Sequence, residues 1–198
     1  LDDSTEKMDE KTVKVKMGDK VNVPYDVVCD SIEYGDISSQ SINKRQIAIL
    51  FDLGVENGND RNAAMNGMKN NVLNKLFEKT EKADSAVIYY DSKQVGIAED
   101  KKVNNAKEQM QKDLDLITTI KRSDNDNGEP KLKEALKKSK DYFNNPYEFK
   151  NNNYYSDTEE WSEASKDIII ITNRGVNTES INEIVNEING NYNVITFC

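Results

Sequence analysis

The chain has 198 residues, enough for one large domain with a real hydrophobic core. Hydrophobic residues make up 36% and charged residues 32%, yet the aliphatic ones gather in strand-like runs, which marks a folded domain with very polar loops rather than a disordered chain. A net charge of −9 argues against nucleic acid or an anionic membrane as the main partner, and the lack of histidine excludes imidazole acid–base catalysis, Ser-His-Asp chemistry and His-ligated zinc.

The chain starts at Leu1 rather than Met, shows no signal peptide and stops abruptly at Cys198, which suggests a fragment or processed form. No apolar run is long enough to cross a membrane, so the chain is not expected to span one. Cys29 and Cys198 allow one disulfide, which would point to export, or two unpaired thiols.

Residues 1–45 read as an N-terminal β extension, not an independent domain. Residues 1–11 are charged and expected to fray. TVKVK at 12–16 alternates with period two, and a GDK turn leads to a second strand at 21–28, where Pro24 requires an edge or an interruption. The main domain is expected at 46–198. Residues 46–51, QIAILF, are apolar without alternation, as in a parallel strand covered on both faces. Met65, Met68, Val72, Leu73, Leu76 and Phe77 fall at helical spacing within 63–79; SAVIYY at 85–90 is a second buried strand. Helices follow at 104–122 and at 131–142, the latter with Pro130 suited to its first turn. DIIIIT at 167–172 is a third buried strand, 178–189 a helix closed by Gly190, and YNVITF at 192–197 a fourth strand. This order gives an α/β fold: a doubly wound, mostly parallel sheet with helices on both faces and an N-terminal β-hairpin extension. Ligands of such sheets collect at the carboxyl ends of the strands, which puts Asp52 and the pair Thr172 and Asn173 on one crevice.

Several segments, in order, resemble a von Willebrand factor type A domain over residues 46–198. FDLGVE stands where that family has D-x-S-x-S, MNGMK follows, SAVIYYDSK resembles its second core strand, GEPKLKEAL its loop and Ala-Leu helix, and DIIIITNRG the strand that normally ends Leu-Thr-Asp-Gly. The resemblance implies a metal-ion-dependent adhesion site, in which two serines, a threonine and two aspartates offer oxygens to a hard cation and leave a position for a ligand carboxylate. Here Asp52 is kept, but the serine positions hold Gly54 and Glu56, or Asn62 and Ala64 in a register set by Met65; the threonine falls at Pro130 or Glu129 and the late aspartate at Asn173. A standard site is therefore expected to be lost and no cofactor is expected. The alternative is a nonstandard Mg²⁺ or Ca²⁺ site using Asp52, Glu56, Glu129 and Asn173. Asp52 also has a plain structural reading, as a loop acid bonded to backbone amides near the next helix.

Two further loops invite function. Residues 123–129, SDNDNGE, would bind Ca²⁺ if Ser123, Asn125, Asn127 and Glu134 served as ligands, and otherwise form a solvated turn. The aromatic, Asn-rich stretch 142–161 offers Tyr147, Tyr154, Tyr155 and Trp161 as a protein or glycan contact surface, or as rings packed under the loop.

The resemblance implies a non-catalytic adhesion or protein-binding module, or an assembly segment of one, on a bacterial cell surface or pilus. Its partners would be a protein or matrix ligand or other subunits of the surface assembly. A metal-dependent ligand-binding domain is the alternative. An enzyme is the third reading, and it lacks support: there is no G-x-G-x-x-G, no Walker loop and, after Asp52, an acidic loop that is a poor phosphate cradle.

Overall fold

A computed structural model of the chain describes residues 42–55, 59–75, 80–99, 106–146, 149, 161, 164–175, 177–188 and 192–197. The chain divides into two units, and every described residue lies in the second, Gln40–Cys198. The expected N-terminal strands and both cysteines lie outside the described residues.

The described elements run β1 (Ile42–Asp52), α1 (Asn59–Gly67) continuing into a π-helical stretch (Met68–Leu73), β2 (Thr80–Tyr90), β3 (Val95–Ala98), α2 (Ala106–Ile117), α3 (Leu132–Asn144), β4 (Ser165–Ile171), α4 (Thr178–Val185) and β5 (Tyr192–Phe197). They form an α/β fold around a five-stranded sheet ordered β3-β2-β1-β4-β5. β1 pairs in parallel with β2 and β4, and β4 with β5; the β2–β3 pair is antiparallel. β1 and β4 are the flanks of the topological switch, because the chain first builds outward from β1 through β2 and then returns to its other side.

β1 shows why a continuous apolar run makes a central strand. Ile47 through Phe51 are all fully buried, since both faces of the strand are covered. On one face Ala48 and Leu50 join Ala86, Ile88, Tyr90, Ile168 and Ile170 in a core closed by Leu136 and Tyr142 of α3 and by Ile184 and Val185 of α4. Ile47, Ile49 and Phe51 alternate to the opposite face, where Arg61 of α1 lies over the Phe51 ring at 5.9 Å. At a rough 1.5–3 kcal/mol per fully buried aliphatic or aromatic side chain, these strands dominate the stability of the sheet.

The strands reach further than the apolar runs. β1 begins at Ile42 and β2 at Thr80, ahead of the expected 46 and 85, because backbone pairing continues through polar residues such as Lys44 and Lys82. Arg45 there is buried and salt-bridged to Asp167 at 2.5 Å, and Asp167 accepts from Asn193 at 2.9 Å. Burial pushes the Asp167 carboxyl above its ordinary range, against the pull of Arg45 and Asn193. The first helix starts at Asn59 rather than 63, and the last, capped by the Asn177 side chain on the Glu179 and Ser180 amides, is assigned only to Val185. β3 is an element the sequence reading lacked. Its Gly96 sits opposite Tyr89, and a Cβ there would fall 2.2 Å from the tyrosine side chain, so any other residue would force that ring to shift.

Candidate functional site

The parallel register sets the site. Phe51 pairs with Ile171 and Asp52 with Tyr90, so Asp52, Thr172 and the turn after Tyr90 emerge at one rim of the sheet. Asp52 is fully buried there. A buried carboxylate needs its oxygens satisfied, and here all four acceptor positions are taken. The Gly54 N–H donates to Oδ1 at 2.7 Å, the Thr172 hydroxyl to Oδ2 at 2.6 Å, and Arg174 completes a bidentate pair through Nε to Oδ2 at 2.8 Å and through Nη2 to Oδ1.

The same guanidinium reaches a second carboxylate. Arg174 Nη1 lies 3.2 Å from Oδ2 of Asp126, in the loop between α2 and α3. Asp126 also accepts from the Ser92 amide at 2.8 Å and from Arg122 Nε at 2.5 Å. Burial alone would raise its carboxyl, but the bonds from Ser92 and Arg122 and the nearby Arg174 charge hold it well below the usual carboxylate range. Beside it Asp91 accepts from the Lys93 and Gln94 amides, the Gln94 side chain and the Ser123 amide. Burial again pushes upward, and these bonds, led by that from Gln94, bring Asp91 down to about 2.

Below the rim Arg61, 1% exposed, is held by main-chain carbonyls. It donates to Leu53 and Val55 at 3.1 Å, and to Ile117 at 3.1 Å and Ile120 at 2.9 Å, so it ties the loop after β1 to the C-terminal end of α2. Desolvation lowers its pKa and the charge of Asp52 opposes that; arginine stays protonated regardless. Tyr90 is raised by burial and by the Asp52 charge. The rim therefore pairs two carboxylates, Asp52 and Asp126, with two guanidiniums, Arg174 and Arg122, while Asp91 is bonded to amides and Arg61 to carbonyls.

The residues singled out in the sequence fare differently. Asp52 and Asn173 meet at one rim as expected, but Asn173 is exposed and uses its amide as a donor to the Gly54 carbonyl at 3.1 Å. Glu129 is exposed, and Glu56, Tyr147, Tyr154 and Tyr155 lie outside the described residues. Trp161 is 7% exposed, so its ring is packed in rather than presented at the surface. In the 123–129 loop Asn125 and Asn127 are exposed, and Asn125 takes a left-handed φ of 54°. The carboxylate that turns inward is Asp126, which the calcium-loop spacing skips, and Ser123 serves through its main-chain N–H.

The residues at Asp52 do not fit a resident hard cation. Such an ion needs free carboxylate and hydroxyl oxygens, whereas both oxygens of Asp52 and the Thr172 hydroxyl proton are committed to each other and to Arg174. Among the described residues no group of three or more acidic or thiol side chains is gathered as a ligand set. Position 54, where the resemblance places a serine, has no room for one: a Cβ would fall 2.6 Å from Arg174 Nε and 2.9 Å from Asp52 Oδ1. Sequence reasoning missed Arg174. The available signal was an arginine directly after the two residues, Thr172 and Asn173, that end β4, combined with a glycine at the serine position.

No family model matches the chain, and no curated protein matches it. Among solved structures, proximal thread matrix protein 1 (PTMP1) from the mussel byssus is similar, with a TM-score of 0.46 and 16% sequence identity, over 79% of this chain and 38% of that one. The present chain thus corresponds to well under half of that protein's length.

Proposed function

We propose that this chain is a non-catalytic protein-binding or assembly domain of an extracellular surface structure, such as a pilus or matrix, that works without a bound metal. The observation that carries this reading is the commitment of Asp52. A general base or nucleophile needs a lone pair facing substrate, and a metal ligand needs one facing the ion. The Asp52 carboxylate has all its acceptor positions filled by Gly54, Thr172 and Arg174 and is fully buried. The balanced charges around it favour a rigid rim over a reactive one. Among the described residues no helix is long and apolar enough to cross a membrane, which is consistent with a domain presented by a larger assembly.

The test is binding of the labelled chain to immobilised extracellular matrix, in Mg²⁺ and in EDTA, with thermal melting in Mg²⁺, Mn²⁺ and ATP alongside. Saturable binding that is equal in both buffers, with melting shifts below about 1 °C, is expected. Binding that disappears in EDTA would restore the metal-dependent reading, and a clear shift with ATP would favour an enzyme.

A further inference from the structure

The rim of this sheet presents a set of oxygens suited to a cation and fills it with a side chain. Two carboxylates, Asp52 and Asp126, and the Thr172 hydroxyl come from three separate segments: the end of β1, the loop between α2 and α3, and the residue after β4. All three touch the same residue. Arg174 engages Asp52 through Nε and Nη2 and Asp126 through Nη1, and its main-chain N–H donates to Thr172 Oγ1 at 3.0 Å. Its side chain is only 20% exposed, so these pairs are partly withdrawn from water and screened less than surface ion pairs.

We infer that Arg174 is a tethered cation: it does within the chain what a bound divalent ion would do, joining three segments through their oxygens. Two features of its packing support this. The guanidinium fills both oxygens of the one acid at the end of β1, in the bidentate geometry that arginine offers to carboxylates. Gly54 supplies the space, since any side chain at that position would meet Arg174 Nε and Cζ at 2.6 and 2.9 Å. Gly54 and Arg174 thus form a matched pair, the glycine leaving the space that the guanidinium fills. A guanidinium carries one positive charge and a divalent ion two. Arg122, bonded to the same Asp126 oxygen at 2.5 Å, supplies the second charge.

The inference predicts that removing the arginine exposes oxygens to which a hard divalent cation can bind. Thermal melting of the wild type, R174A and the double variant D52N/R174A is measured with and without Mn²⁺ or Mg²⁺. R174A should melt about 5 °C below the wild type in metal-free buffer and regain most of that loss on adding Mn²⁺, while the wild type shifts by less than about 1 °C. D52N/R174A should show no recovery, because the carboxylate that would hold the ion is gone. If R174A is unfolded without metal, folding on addition of Mn²⁺ supports the inference, and R174Q, which keeps the length but not the charge, repeats the comparison. An R174A melt that does not respond to Mn²⁺, or a response of equal size in D52N/R174A, overturns it. The readout is stability alone, so failure of the binding assay above leaves this result unaffected.

Discussion

At the rim, a single methyl group is a sufficient probe of how closely the parts are fitted. A Cβ on Gly54 would sit 2.6 Å from Arg174 Nε, and the arginine cannot simply swing aside because Asp52 and Asp126 hold its other edges. Gly54→Ala should therefore destabilise the wild type by about 1–2 kcal/mol through the loss of that pairing, and cost far less once Arg174 is alanine. A double-mutant cycle on positions 54 and 174, by urea denaturation, should return a coupling of at least about 1 kcal/mol; additive costs would mean that the glycine serves another purpose. The neighbouring Arg61 illustrates the other way a guanidinium is housed, bonded to carbonyls and not to acids. A search for metal ligands passes over both arginines, because it follows oxygen-bearing side chains; only the place of Arg174 directly after Thr172 and Asn173, with a glycine at position 54, marks it in the sequence.

Among the elements, the turn between β2 and β3 depends on the ionisation state of Asp91. Asp91 organises it by accepting from Lys93 and Gln94, and joins it to the α2–α3 loop through the Ser123 amide. Its carboxyl is depressed from 3.8 to about 2, so the folded state binds this proton less readily than the unfolded chain. The stabilisation is complete above the unfolded value and is lost as pH falls through the folded one. Melting temperature should thus fall between about pH 4 and pH 2, and Asp91→Asn should be less stable at neutral pH and show a shallower acid limb. A variant as acid-sensitive as the wild type would place that proton elsewhere. The elements themselves were legible in proportion to their burial. IAILF and DIIII announce central strands because both faces must be apolar, and the helix of 132–144 shows in the spacing of Leu132, Ala135 and Leu136. β3 was not legible, since four residues whose first three are only half-buried carry little periodic signal.

For the molecule as a whole, the parallel core and the rim belong to one construction. β1 lies between β2 and β4 with Ile47 to Phe51 fully buried, so its amides should be released only by global unfolding. Native-state hydrogen exchange should find the slowest protons in β1 and β4 and faster ones in the edge strand β3; fast exchange in β1 would show that the sheet opens locally. The pairing of two acids with two arginines at the rim has one more consequence, for how the domain meets other molecules. Opposed charges packed this closely cancel within a few ångströms, so little potential extends from the rim into solution. The chain still carries −9, more than half of it in residues 1–41. Diffusional encounters will be guided by that net acidity, quickened for basic partners and damped by added electrolyte, while whatever settles against the rim is selected by its shape.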